Sequence, residues 1–132
     1  MNKMMHPEIK KEIHRRRKEI RREAPHALVL VDAALLIETG SFREMDRTIV
    51  VSASKRNQLR RLVERGGLSP EEARRRIRAQ MPLREKLKHA DYVINTDCSM
   101  EEVRKQVRRI YRELSSVRAK GENSPIFSCP TV

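Results

Sequence analysis

The sequence predicts an α/β fold with parallel strands, and three observations carry that expectation. Residues 27–31 (ALVLV) form an uninterrupted apolar run that ends at Asp32. A run of this kind, with a proline upstream and an acid downstream, reads as a strand buried on both faces. Two further β-branched runs, residues 48–51 (TIVV) and 92–94 (YVI), follow Asp46-Arg47 and Ala90-Asp91. Helical patterns lie between and after these runs, the alternation that layers helices on a parallel sheet.

Each element has its own signal. Residues 7–23 (PEIKKEIHRRRKEIRRE) are predicted helical: Pro7 suits a first-turn position, and Ile9, Ile13 and Ile20 share one face. Pro25 stops this helix. The short apolar segment 33–38 is broken by Gly40. Ser54 is placed to cap a helix carrying Leu59, Leu62 and Val63. Ser69-Pro70-Glu71-Glu72 is a capping box with proline at the first helical position, and Ser99-Met100-Glu101-Glu102 repeats the device. Gly66-Gly67 separates two helices as a hinge, and Pro82 ends the second. A further short helix is expected up to His89. After Ser99, Val103, Val107, Ile110, Tyr111 and Leu114 form an amphipathic stripe expected to pack on the sheet. From about Ala119 the periodicity is lost, which predicts a flexible tail over 119–132.

Composition bounds the function classes. The 132 residues have room for one domain with a modest core, at 38% hydrophobic and 36% charged. No apolar run approaches the roughly 20 residues that span a bilayer. The polar start carries no signal-peptide core, so a soluble cytoplasmic protein without a membrane partner is expected. Cys98 and Cys129 form no CxxC, and His6, His14, His26 and His89 show no ligand spacing with them, so both thiols are expected reduced and unpaired. The net charge of +12 favours polyanionic partners, nucleotides among them. Aromatic residues make up only 3%, which argues against base-stacking recognition of nucleic acid.

Two features bear on chemistry. Asp32 follows a predicted strand, where open α/β sheets place ligands and where P-loop enzymes hold magnesium. An Asp there also serves as a cap or turn residue, and the residues alone leave both readings open. Arg61, Arg65, Arg74, Arg75, Arg76 and Arg78 cluster about the Gly66-Gly67 hinge. Hinged guanidinium groups can swing onto phosphates, although composition by itself favours a solvated basic helix. The glycines are Gly40, Gly66, Gly67 and Gly121, and none begins or completes a GxxxxGK[ST] phosphate loop. GxSxG and HExxH are absent as well.

The motifs in order resemble the dephospho-CoA kinase family from Met1 to about Leu114. The matching pieces are Met5-His6-Pro7-Glu8-Ile9, the stretch from Val31-Asp32 through Leu35-Leu36-Ile37-Glu38-Thr39-Gly40, and Gln58-Leu59-Arg60-Arg61-Leu62 leading to Arg65. Gly67-Leu68-Ser69, Arg76-Ile77, Ala79-Gln80-Met81-Pro82, Glu85-Lys86 and Ala90-Asp91-Tyr92-Val93-Ile94 follow. Ala34 stands where the family has a proline, and Thr96 and Cys98 where it commonly has Asn and Gly.

The resemblance implies a partial P-loop kinase-like three-layer fold with parallel strands. It lacks the central phosphate-loop strand and carries an inserted helical lid at about 56–90, within a domain spanning 1–118. It implies ATP-dependent phosphorylation of the ribose 3′-hydroxyl of dephospho-CoA, with ATP and Mg2+ as cofactors. It places Asp32 in a Walker B-like position near Mg2+, Arg61 and Arg65 at the start of the ATP lid, and His6 near the acceptor side. The family's phosphate loop and its general base match no residue of this chain, so no catalytic residue is assigned and the chain alone is expected inactive. Met1 aligns with the interior of the family pattern, from which a truncated reading frame and a missing N-terminal segment are expected. Two unpaired strand edges would then make the isolated chain marginal or aggregation-prone. The competing readings are a basic helical nucleic-acid-binding module using residues 10–22 and 74–78, and a pseudoenzyme or subunit completed by another chain.

Overall fold

The computed structural model describes residues 5–119, with side chains described from Glu8 to Ser116. The chain divides into two units, Met1–Ala33 with Leu114–Val132, and Ala34–Glu113.

The first unit contains helix α1 (Met5–Glu23). Glu8 in its first turn and Arg21 and Arg22 in its last complement the helix dipole. Along it, Glu12 accepts hydrogen bonds from Arg15 Nη2 at 2.8 Å and Arg16 Nε at 2.7 Å, and Arg15 also pairs with Glu19. The Arg15 and Arg16 contacts hold the Glu12 carboxyl near pKa 2. These pairs are exposed and add little stability.

The buried strand expected at residues 27–31 is not formed. These residues belong to no helix or ladder, and Leu28, Val29 and Leu30 are 47%, 40% and 79% exposed. A strand exists only when a neighbour accepts and donates its backbone hydrogen bonds, and among the described residues this run has no such neighbour.

The second unit opens on turns from 34 to 40 and a 3₁₀ turn, Ser41–Glu44. Strand β1 (Ile49–Ser52), helices α2 (Lys55–Glu64), α3 (Pro70–Arg78) and α4 (Leu83–Leu87), strand β2 (Tyr92–Asn95) and helix α5 (Met100–Ala119) follow. The two strands pair in parallel, Ile49 opposite Tyr92 and Ser52 opposite Asn95. The expected α/β architecture with parallel strands is therefore present, with α2 to α4 forming the crossover. At the foot of the pair, buried Thr48 donates its N–H to Asp91 Oδ2 at 2.6 Å and accepts from Tyr92 N–H at 3.1 Å. The core of this unit is thin: Ile37, Val50, Ala73 and Ile110 are its buried apolar side chains among the described residues.

The predicted helix starts are largely observed. Ser54 accepts from the Asn57 N–H at 3.3 Å, and Ser69 and Glu72 complete a reciprocal capping box. Ser99 accepts from the Glu102 N–H at 3.2 Å, while the Glu102 carboxylate pairs with Lys105. Gly67 adopts φ 63°, the left-handed conformation glycine accepts without strain. Gly66 has its own reason: a Cβ there would stand 2.5 Å from Leu62 O.

The stripe on α5 is only partly used. Ile110 is buried, but Val107 is 45% and Tyr111 60% exposed. A two-stranded sheet offers too narrow a surface to cover a five-residue stripe. Residues 120–132, including Cys129 and nearly all of the expected tail, lie outside the described residues.

Candidate functional site

The carboxyl ends of parallel strands are where α/β sheets place ligand chemistry. Here β1 runs into the α2 N-terminus and β2 into Thr96 and Asp97, so two polar loops lie side by side. Asp97 bridges them. Its Oδ2 accepts from the Ser54 N–H at 2.7 Å, and its Oδ1 accepts from Asn57 Nδ2 at 2.7 Å and from the Ser54 hydroxyl at 3.3 Å. The Asn57 hydrogen bond, then those from Ser54, hold its carboxyl below the usual aspartate range.

Arg61 makes the second bridge. Its Nη1 donates to Thr96 Oγ1 at 2.8 Å and its Nη2 to Thr96 O at 2.6 Å. The Thr96 hydroxyl donates onward to Ser52 O at 2.8 Å. The guanidinium is thus part-buried and fixed at the strand ends, with two of its five N–H groups committed. One turn further on, Arg65 forms the α2 C-cap and is exposed, its backbone N–H bonding to Arg61 O at 3.0 Å.

Helix α3 packs on α2, and its Ala73 is 0% exposed. Arg74, Arg75, Arg76 and Arg78 all stand exposed on α3. Arg76 joins Gln58, Leu62, Ile77 and Gln80 in lining an open cleft of about 220 Å³. The helical pair therefore carries a dense positive surface suited to anions.

The root of this pair is tied down at Glu38. Lys86 Nζ lies 2.8 Å from Glu38 Oε1, and the Met81 N–H donates to the same oxygen at 3.4 Å. Burial pushes the Glu38 carboxyl up, but the Lys86 and backbone hydrogen bonds outweigh it and hold the group below the usual range. Glu38 Oε2 is buried without a partner.

Of the residues singled out in the sequence, Arg61 and Arg65 share α2, with only Arg61 in the strand-end network. Asp32 belongs to the first unit and is exposed. His6 falls in the first turn of α1, and its side chain lies outside the described residues. Sequence reasoning missed Asn57 and Asp97, and it treated Thr96 only as a departure from pattern. A signal existed: Asp97 closely follows a β-branched run, the same context that drew attention to Asp32.

Fold and site together define an α/β protein with parallel strands whose polar side chains and a fixed arginine gather at the strand carboxyl ends. The chain belongs to the dephospho-CoA kinase family, whose family model matches residues 1–102. A dephospho-CoA kinase of Bacillus cereus is 41% identical over 112 residues, covering 85% of this chain and 56% of the relative. That of Syntrophotalea carbinolica is 44% identical over 107 residues, 81% of this chain and 50% of the relative. That of Aquifex aeolicus is 37% identical over 115 residues, 87% and 57% respectively. The chain thus spans about half the length of the curated relatives it matches. Among the described residues no helix is long and apolar enough to cross a membrane.

Proposed function

We propose that this chain carries the lid and acceptor-side portion of a cytoplasmic dephospho-CoA kinase. That transferase moves the γ-phosphoryl of ATP to the ribose 3′-hydroxyl of dephospho-CoA, the last step of coenzyme A biosynthesis. The observation that carries the reading is Arg61, clamped by Thr96 at the strand ends with Arg65 one turn beyond. Phosphoryl transfer depends on positioning and on charge stabilisation at the phosphates. A guanidinium held by a backbone carbonyl and a hydroxyl is already oriented, so little side-chain entropy is lost when an anion arrives. Arg65 and the α3 arginines add charge that closes over the nucleotide as a lid, and His6 serves the acceptor side.

The described residues do not fit a resident metal. No three candidate ligands gather among them, and Asp32 is exposed. In this reading Asp32 stands in a Walker B-like position near a nucleotide-borne Mg2+, and no step is derived through the ion. The chain holds no GxxxxGK[ST] loop. The reading therefore requires a phosphate loop supplied by further polypeptide, and the 132-residue chain is inactive by itself.

Equilibrium titration with ATP, comparing the chain with its Arg61→Ala variant, tests the assignment. Weak binding that Arg61→Ala abolishes is expected. Equal binding by both would contradict the role given to Arg61. Coenzyme A formation by the isolated chain would contradict its inactivity.

A further inference from the structure

Helix α1 sorts its side chains by kind around its axis. At 3.6 residues per turn, Ile9, Ile13 and Ile20 fall within an arc of about 40°. Glu8, Glu12, Glu19 and Glu23 fall within about 60° to one side, with Arg16 at the seam. Lys11, Arg15, Lys18 and Arg22 form one line, and Lys10, Arg17 and Arg21 form a second line next to it. Together with His14 the two lines occupy about 160° of the circumference, with no acid among them. They run for about 18 Å along the axis.

This is not the pattern of a helix face that only meets water, which interleaves charges of opposite sign. The printed ion pairs lie along the acidic band: Glu12 is held by Arg15 and Arg16, and Glu19 pairs with Arg15. Lys11, Lys18, Arg21 and Arg22 are exposed. Packing the basic arc against protein would desolvate cations that bring no acids of their own, which is costly. Its charge suits a polyanion instead.

The kind of polyanion follows from the helix. Duplex DNA carries one negative charge per about 1.7 Å, so about ten phosphates lie along the same 18 Å. A helix with its side chains is about 10–12 Å across, and the roughly 12 Å major groove of B-form DNA admits it. The major groove of duplex RNA is too deep and narrow. Single strands are held by aromatic stacking, and α1 contains no Phe, Tyr or Trp. An anionic membrane takes up a broad apolar face, whereas here that face is three isoleucines, of which Ile13 and Ile20 are part-buried.

We propose that the basic arc of α1 binds double-stranded DNA through its phosphates. The contacts are to the backbone rather than to base edges, so the binding is electrostatic and indifferent to sequence.

Fluorescence anisotropy of the full chain, freed of nucleic acid, with a mixed-sequence DNA duplex of about 20 base pairs over a salt series is the test. The logarithm of the affinity should fall linearly with that of the salt concentration, with a slope of about −4 to −6. The triple variant Lys11→Gln, Lys18→Gln, Arg22→Gln places good helix formers at exposed sites, so its circular dichroism should not change. It should weaken binding at least about tenfold near ~0.1 M salt and make the slope shallower by about 2–3. Arg104→Gln, Arg108→Gln, Arg112→Gln removes the same charge from exposed positions of α5 and should change the affinity less than about threefold. Equal loss from the two triple variants overturns the proposal, since net charge alone would then account for the binding. Absence of binding near ~0.05 M salt overturns it, as does tighter binding of an RNA duplex of the same sequence. Vesicles of anionic phospholipid that displace the DNA duplex would overturn it in favour of a membrane surface.

Discussion

Lys86 Nζ sits 2.8 Å from Glu38 Oε1, with both side chains less than one-fifth exposed. This pair joins α4 to the turn segment that precedes β1, and the Met81 N–H adds to it from the root of the α2–α3 pair. A shielded pair contributes little net stability when intact but is costly to break from one side. Lys86→Met leaves the Glu38 carboxylate without its cation and should lower stability by about 2–4 kcal/mol. Glu38→Gln keeps an acceptor for Met81 and should cost less, about 1–2 kcal/mol. Urea unfolding curves of the two variants give the order.

The pH dependence follows from the same groups. Glu38 and Asp97 titrate below their ordinary values of 4.5 and 3.8 in the folded chain. A depressed carboxyl gives stability that is fully present above its unfolded pKa and is lost as pH falls through the folded one. Melting temperature should therefore hold above about pH 5 and fall progressively in more acid solution. Glu38→Gln should flatten the upper part of that fall. An unchanged profile would mean that Glu38 is not held as described.

The Arg61 clamp predicts coupling. Arg61→Ala and Thr96→Val each break the link between α2 and β2. Because both remove the same Nη1–Oγ1 hydrogen bond, the double variant should cost less than the sum, by about 1 kcal/mol. Arg61→Lys should not recover this, since an ammonium cannot span the hydroxyl and the carbonyl as a fork does. Additive costs would place Arg61 and Thr96 apart in solution.

Helix α3 packs on α2 and has one fully buried residue, Ala73. Ala73→Leu should separate the helices and cost about 1–3 kcal/mol, while Arg74→Leu on the exposed face should stay within about 0.5 kcal/mol. Hydrogen exchange of residues 70–78 reads the loosening locally.

The parts legible in the sequence were those with local causes. Ser54 and Ser69 cap helices because their hydroxyls reach amides three residues on, and the stretch from Ser69 to Glu72 states that directly. Gly66 and Gly67 mark the turn because a side chain would clash at one and be strained at the other. The strands at 49 and 92 were legible because they have each other. Residues 27–31 misled because an apolar run specifies a strand only when a partner is present to complete its hydrogen bonds. The Asp97 bridge was hidden for a related reason. Its partners, Ser54 and Asn57, lie 43 and 40 positions earlier, and only the parallel register of β1 and β2 brings them together. The Glu38–Lys86 pair likewise spans 48 positions, so its two quoted motifs gave no hint that they touch.

The central claim is that this chain supplies a working lid and acceptor portion to dephospho-CoA kinase chemistry. The most direct measurement joins it to the part of the Bacillus cereus relative that it does not match and follows coenzyme A formation from ATP and dephospho-CoA. The account predicts activity in the joined protein, at least about tenfold lower with Arg61→Ala, and none in the 132-residue chain alone. A folded, joined protein that is inactive, or one indifferent to Arg61→Ala, would contradict it.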